Sequence, residues 1–176
     1  MRRSLLFVGT AMLLALAACA DPVVPGSGGN PEPDTTHLDV YETMIRHLAG
    51  QESFQWNEVV VVRAICSNAG EPAEHQGCKD EFSAEDEAAL LGRLTDLAPT
   101  VRFVNDPTPL FDDDWFQGEP DRIVLWLGPI QETGDELHVG GSFGCGGLCG
   151  SGSTWVLREK TDGWKVTGST GETWIA

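Results

Sequence analysis

The chain has 176 residues with 27 acidic and 11 basic side chains, which gives a formal net charge of −16 at pH 7. So acidic a surface repels polyanions, and we therefore expect no nucleic-acid partner. Hydrophobic residues make up 41% of the chain and aromatic residues 8%, which is enough to build a core, so intrinsic disorder does not explain the charge.

The N-terminal segment has the composition of a secretory signal. Two arginines, at positions 2 and 3, precede an apolar stretch over residues 5–18. At 14 residues, this stretch is shorter than the roughly 18–20 residues that a membrane-spanning helix needs. A secretory signal that is removed after export is therefore favoured over a retained transmembrane helix.

The signal ends with Leu16-Ala17-Ala18 directly before Cys19, and this arrangement resembles the lipobox of bacterial lipoprotein precursors. The resemblance implies that residues 1–18 are removed and that Cys19, alkylated by a diacylglyceryl group, becomes the new N-terminus. A plain secretory signal with an incidental cysteine is the alternative. Lipidation predicts an extracytoplasmic, membrane-anchored protein, periplasmic or at the outer surface, whose partner is the membrane that holds its lipid.

Removal of residues 1–18 would take away two of the 11 basic residues and none of the 27 acidic ones, leaving a mature charge of −18. The following segment, 19–36, begins with the lipidated cysteine. Within 21–36, seven of 16 positions are Pro or Gly, and apolar residues show no periodicity. This composition predicts a tether with a reach of roughly 20–25 Å.

The number of cysteines indicates two disulfides in the mature chain. Of the five cysteines, lipidation accounts for one and leaves four: Cys66, Cys78, Cys145 and Cys149. An even number in an exported chain favours disulfides, and four cysteines allow three connectivities. The local pairing of the first two and of the last two is favoured, because each pair brackets a turn-rich segment. Zinc is the alternative, but the spacings match no standard zinc finger.

Residues 37–176 are predicted to form a single domain. Apolar residues at helical spacing indicate a first helix over 37–49, ended by Gly50. A β-branched run from residue 59 predicts a buried strand, and residues 67–80 read as a loop. Ser83 is a good N-cap for a second helix, which Pro99 would stop.

From residue 100 the apolar pattern becomes strand-like. The expected strands are 101–104, 123–127, 137–143, 155–158 and 164–166, with a further edge strand at 173–175. Asp162-Gly163 between two of them is a hairpin signal. The order predicts an α+β fold, an antiparallel sheet of about five to six strands with two helices packed on one face.

One pattern in the mature domain is distinctive. Cys145-Gly146-Gly147-Leu148-Cys149, together with Gly150 and the later run 163–166, resembles a pattern in exported bacterial proteins of no established function. That resemblance implies no catalytic residue. The spacing C-x-x-x-C between strands also differs from the C-x-x-C redox motif at a helix start, so a structural disulfide is favoured over a redox role.

Residues 140–144 match the pattern G-x-S-x-G, with Ser142 at its centre. In hydrolases that use this pattern, the serine sits on a sharp turn between a strand and a helix. Here a Gly/Cys loop and another strand follow. The sequence therefore does not favour Ser142 as a nucleophile. It favours a glycine-bearing strand that bends or lies close to another part of the backbone.

Three consecutive carboxylates, Asp112, Asp113 and Asp114, are candidate ligands for a calcium ion. The alternation and the glycine of an EF-hand loop are missing, so an exposed acidic loop is favoured and no metal or cofactor is predicted. The four histidines are widely separated, and no catalytic residue can be assigned. The expected role is binding an envelope protein or ligand, or structural work at the cell envelope; a small extracytoplasmic hydrolase or other enzyme is the alternative.

Overall fold

The computed structural model describes residues 36–51, 55–70, 77–111, 121–146 and 149–175. Two helices and seven strands occur in this part of the chain. In chain order they are α1 (Thr36–Ala49), β1 (Glu58–Cys66), β2 (Cys78–Glu81), α2 (Ala84–Arg93), β3 (Thr100–Val104), β4 (Arg122–Thr133), β5 (Glu136–Gly146), β6 (Cys149–Lys160) and β7 (Gly163–Ile175). A 3₁₀ turn, Thr108–Leu110, follows β3. All belong to one α+β domain.

The first helix forms where its apolar stripe predicts it. Its buried side chains are Leu38, Val40, Tyr41, Met44, Ile45, Leu48 and Ala49. The hydroxyl of Tyr41 donates a hydrogen bond to the carbonyl of Gly128 at 3.2 Å, and burial raises the pKa of this tyrosine to about 12. The N–H of Gly50 donates to the Arg46 carbonyl at 3.1 Å, at the predicted helix end.

The second helix begins with a capping box. Ser83 Oγ accepts a hydrogen bond from the Asp86 N–H at 3.1 Å, and the Asp86 carboxylate accepts one from the Ser83 N–H at 3.3 Å. The helix ends at Arg93, earlier than the stop predicted at Pro99. Arg46 reaches across from α1 and donates to the Arg93 carbonyl at 2.8 Å, which satisfies one of the last carbonyl groups.

The sheet is mixed, with the order β2-β1-β4-β5-β6-β7 and with β3 also paired to β1. Strands β3 and β4 both run parallel to β1, and the remaining pairings are antiparallel. The predicted α+β fold, with two helices packed on a mostly antiparallel sheet, is confirmed. The sheet differs from the prediction of about five to six antiparallel strands, because it has seven strands and two of its pairings are parallel. A helical crossover separates β1 from β3 and lets them pair in parallel. Strand β2 begins within the predicted loop 67–80 and ends at Glu81.

Alternate residues of the central strands point to opposite faces of the sheet. Val59 and Val61 of β1 belong to the same buried cluster as the side chains of α1, Leu90 of α2 and Leu94, the residue that caps the end of α2. The other face carries a smaller cluster, whose buried members are Val60, Val62, Ala69, Val124 and Trp126. Because both faces of β1 are buried, its sequence is a continuous apolar run rather than an alternating one.

Candidate functional site

The structure pairs Cys66 with Cys78 and Cys145 with Cys149 at disulfide-bonding distance. The first pair joins the end of β1 to the start of β2, and the second closes the end of the β5–β6 hairpin. The two disulfides predicted from the cysteine count thus fit the structure, with the local pairing that the sequence favoured. Such bonds are compatible with a location outside the cytoplasm.

Several predicted features lie outside the described residues: the signal 1–18, Cys19, the tether up to residue 35, and the candidate calcium ligands Asp112, Asp113 and Asp114. Among the residues that the structure does describe, no group of three or more His, Cys, Asp or Glu side chains could hold a metal ion. Neither α1 nor α2 is long and apolar enough to cross a membrane.

Ser142 lies in the middle of β5, directly opposite Trp126 of β4 and Gly152 of β6. Its side chain is fully buried, and its Oγ atom has no hydrogen-bond partner within the described part of the chain. The strand continues past it on both sides, so the turn between strand and helix that a nucleophilic serine requires is missing at this position.

The three histidines that the structure describes contact carboxylate groups or an aromatic ring, and none of them forms a hydrogen bond with Ser142. His37 Nε2 lies 2.9 Å from Asp86 Oδ1, and His138 Nε2 lies 3.3 Å from Glu136 Oε2. The His47 ring packs edge-on against Trp155, with ring centroids 4.4 Å apart, and burial lowers the pKa of His47. The structure therefore brings none of these histidines into hydrogen bonding with Ser142.

Residues 67–70, the crossing segment, run over the sheet face that lies opposite the helices. A Cβ atom on Gly140 would lie 3.2 Å from the Gly70 nitrogen, and one on Gly152 would lie 2.9 Å from the Gly70 oxygen. The indole N–H of Trp174 donates to the Gly70 carbonyl at 3.0 Å. The interpretation of 140–144 as a glycine-bearing strand close to another backbone is confirmed.

At the start of β1, β3 and β4 the same face carries a polar cluster that the sequence did not reveal. Arg102 Nε donates to Glu58 Oε1 at 2.6 Å, and Arg122 Nε donates to Glu58 Oε2. Although burial acts to raise it, the hydrogen bonds from Arg102 and Arg122 hold the pKa of Glu58 below its usual range. One carboxylate therefore holds two guanidinium groups side by side.

Arg102 and Arg122 follow Glu58 in the chain by 44 and 64 positions, respectively. The three residues meet only because β3 and β4 both pair in parallel with β1. Each stands at or near the start of its strand. A charged residue just before a β-branched run was the available signal, but such residues usually mark only an exposed strand end.

A cleft of about 580 Å³ lies between the end of α1, residues 55–57 and residues 95–99. Its main charged pair is Arg46 with Asp96, with Nη2 2.8 Å from Oδ1. Arg46 also donates to Glu42 Oε1 at 3.0 Å and to the Arg93 carbonyl. The hydrogen bonds of the Arg46 guanidinium therefore connect the two helices. We assign no ligand to the cleft.

No protein-family model matches the chain. Neither a curated protein nor a solved structure is found to be similar to it. What the protein does must therefore be inferred from its own residues.

Proposed function

We propose that this protein is a lipid-anchored extracytoplasmic domain with a binding or structural role at the cell envelope. The observation that carries the proposal is the presence of two cysteine pairs, Cys66–Cys78 and Cys145–Cys149, at disulfide-bonding distance. Stable disulfides belong to oxidising compartments, and the apolar N-terminal segment that ends at Cys19 provides a route to one.

The position of the first helix supports the anchor. Helix α1 begins at Thr36, immediately after the Pro/Gly-rich residues 21–35. A Pro/Gly-rich tether, as the composition of this segment predicts, would let the domain stand clear of the membrane surface. The lipid would supply the membrane attachment, as neither described helix is suited to do so.

A binding or structural role is favoured over the alternative of a small hydrolase. A serine nucleophile needs a base within hydrogen-bond reach and access for its substrate. Ser142, the one pattern-based candidate, is fully buried in β5 and makes no hydrogen bond within the described residues.

Metabolic labelling with an alkyne-bearing fatty acid in a bacterial host tests the anchor. The wild-type chain should take up the label, and Cys19→Ser should not. Ala20→Ser, which changes the next residue and keeps the thiol, is the matched control and should be labelled like the wild type. An unlabelled wild-type chain, or an equally labelled Cys19→Ser variant, would contradict the proposal.

A further inference from the structure

We propose that Arg102 and Arg122 form a binding site for a phosphate group, and that Glu58 acts as a positioning residue that orients both guanidinium groups. This inference rests on the binding role proposed above and names the class of ligand that would be bound. It does not require the lipid anchor.

The three side chains come from three adjacent strands and share one face of the sheet. Glu58 is paired directly with Arg122 across β1 and β4, and Arg102 is paired with Val60, the next residue of β1 on the same face. Val60 and Val124 belong to the cluster on the face away from the helices. The guanidinium groups therefore stand on a rigid part of the sheet, which favours a defined geometry.

The terminal nitrogens of both arginines are available. Each arginine uses its Nε atom to bind Glu58, and within the described residues the Nη atoms of Arg102 and Arg122 make no hydrogen bond. Each guanidinium thus presents four N–H groups in a planar fork. The side chains of Arg102 and Arg122 are 39% and 30% exposed, so a solute can reach them.

This arrangement differs from that of the other arginines in the described part of the chain. Each of those uses at least one terminal nitrogen to bind a carboxylate: Arg46, Arg63, Arg93 and Arg158. At Glu58, by contrast, two positive charges face one negative charge. The charges of these three side chains sum to +1, in a chain whose net charge is −16.

A phosphate group fits such a pair better than a carboxylate does. A carboxylate offers two oxygens in one plane, which match the fork of a single guanidinium. A tetrahedral phosphate offers more oxygens in different directions and can accept from two guanidinium groups on separate strands. The negative net charge repels nucleic acids at long range, so the expected ligand is a small phosphate compound or a lipid headgroup.

Titration of the full-length chain, purified in a non-ionic detergent, with inorganic phosphate in a low-salt chloride buffer tests the site. We expect saturable binding by calorimetry. In the NMR spectrum of the wild-type protein, the Nε–H signals of Arg102 and Arg122 should shift on phosphate addition, whereas those of Arg158 should not. Acetate at the same concentrations should bind more weakly.

Variants separate local binding from the effect of net charge. Arg102→Gln and Arg122→Gln should each raise the Kd for phosphate about tenfold, the loss of one charge-assisted hydrogen-bond set. Arg158→Gln removes the same charge elsewhere on the sheet and should leave the Kd unchanged. Each single variant keeps one arginine beside Glu58, and its melting temperature checks that it is folded.

No saturable phosphate binding by the wild-type chain, or an equal loss in Arg158→Gln, would overturn the site. The two sources of phosphate are separated by comparing glycerol phosphate with short-chain phosphatidic acid. Tighter binding of the latter identifies a lipid headgroup, and equal binding identifies a soluble phosphate compound. A chain that takes up the fatty-acid label at Cys19 but does not bind phosphate would refute only the phosphate site. A chain that binds phosphate but takes up no label would refute only the lipid anchor.

Discussion

The indole N–H of Trp174 donates a hydrogen bond to the carbonyl oxygen of Gly70 at 3.0 Å, across 104 positions of sequence. It joins the last strand to the crossing segment, residues 67–70, which follows directly from Cys66 at the end of β1. The hydrogen bond thereby connects β7, at one end of the sheet order, to the segment that follows β1, over the face that lies away from the helices. The hydrogen bond and the Cys66–Cys78 disulfide hold the crossing segment at different points.

Replacing Trp174 with Phe keeps an aromatic ring and removes the hydrogen bond to Gly70. The free energy of unfolding should fall by about 1 kcal/mol, because the Gly70 carbonyl loses its partner in a partly buried position. Trp164→Phe, on the same strand, is the control, since Trp164 makes no side-chain hydrogen bond within the described residues. Chemical denaturation measures both changes. Equal losses would show that ring size, and not the hydrogen bond, matters at Trp174.

Gly152→Ala should destabilise the domain by about 1–3 kcal/mol, because its Cβ would lie 2.7 Å from the Ser142 Cβ and 2.9 Å from the Gly70 oxygen. Gly168→Ala places the same methyl group on exposed β7, where nothing lies within 4 Å. Its free energy of unfolding should stay within about 0.5 kcal/mol of the wild-type value. Thermal or urea unfolding compares them. A harmless Gly152→Ala would contradict the close approach of the crossing segment.

The buried Ser142 hydroxyl makes no hydrogen bond within the described part of the chain. Ser142→Ala should therefore leave the free energy of unfolding unchanged or raise it by about 1 kcal/mol, since an unsatisfied polar group leaves the interior. Ser153→Ala is the matched control. That serine is equally buried, but its Oγ lies 3.2 Å from Thr173 Oγ1, so its loss should cost about 1 kcal/mol. A marked loss of stability in Ser142→Ala would mean that the hydroxyl has a partner.

Burial of His47, whose ring packs against Trp155, should make the free energy of unfolding depend on pH. Burial lowers the pKa of His47 in the folded state below its ordinary value of about 6.5, so the unfolded chain binds a proton more readily. The contribution of neutral His47 is complete above that ordinary value and is lost as the pH falls from there to the lower pKa of the folded state. His47→Gln should flatten the free energy of unfolding between about pH 6.5 and pH 5. An unchanged slope in urea titrations would contradict this.

Titration of the carboxyl groups of Glu58, Asp86 and Asp96 does not interfere with measuring how the free energy of unfolding changes with pH because of His47. Hydrogen bonds from Arg102 and Arg122, from His37 and from Arg46, respectively, hold their pKa values below the ordinary range, despite the opposing effect of burial on Glu58. Their stabilising contribution is present above the ordinary pKa of a carboxyl group and is lost only at lower pH. The difference between wild-type protein and His47→Gln above pH 5 therefore reports on His47.

Both helices could be predicted from sequence, because their signals are local. The apolar stripe of α1 and the capping box at Ser83 each occupy a few consecutive residues. Strand β2 was missed because all four of its side chains are exposed, so it shows no alternation of polar and apolar residues. The parallel pairing of β1 with β3 was missed because strand direction depends on the crossover that α2 makes, which no local pattern states.

The candidate sites differ in the same way. The cysteine pairing could be predicted, since Cys66–Cys78 and Cys145–Cys149 are each separated by a short stretch of chain. The cluster of Glu58, Arg102 and Arg122 could not, because it exists only once three strands are aligned in register. Local patterns thus predict the bonds that close loops, whereas sites assembled across a sheet require the fold.

The most direct test of the proposed export and anchoring is the intact mass of the mature protein, purified from a bacterial membrane without reducing agent. We expect a chain that begins at Cys19, carries the added mass of a diacylglyceryl group and shows the mass deficit of two disulfides. A chain that still begins at Met1, or an N-terminal Cys19 without a lipid, would contradict it.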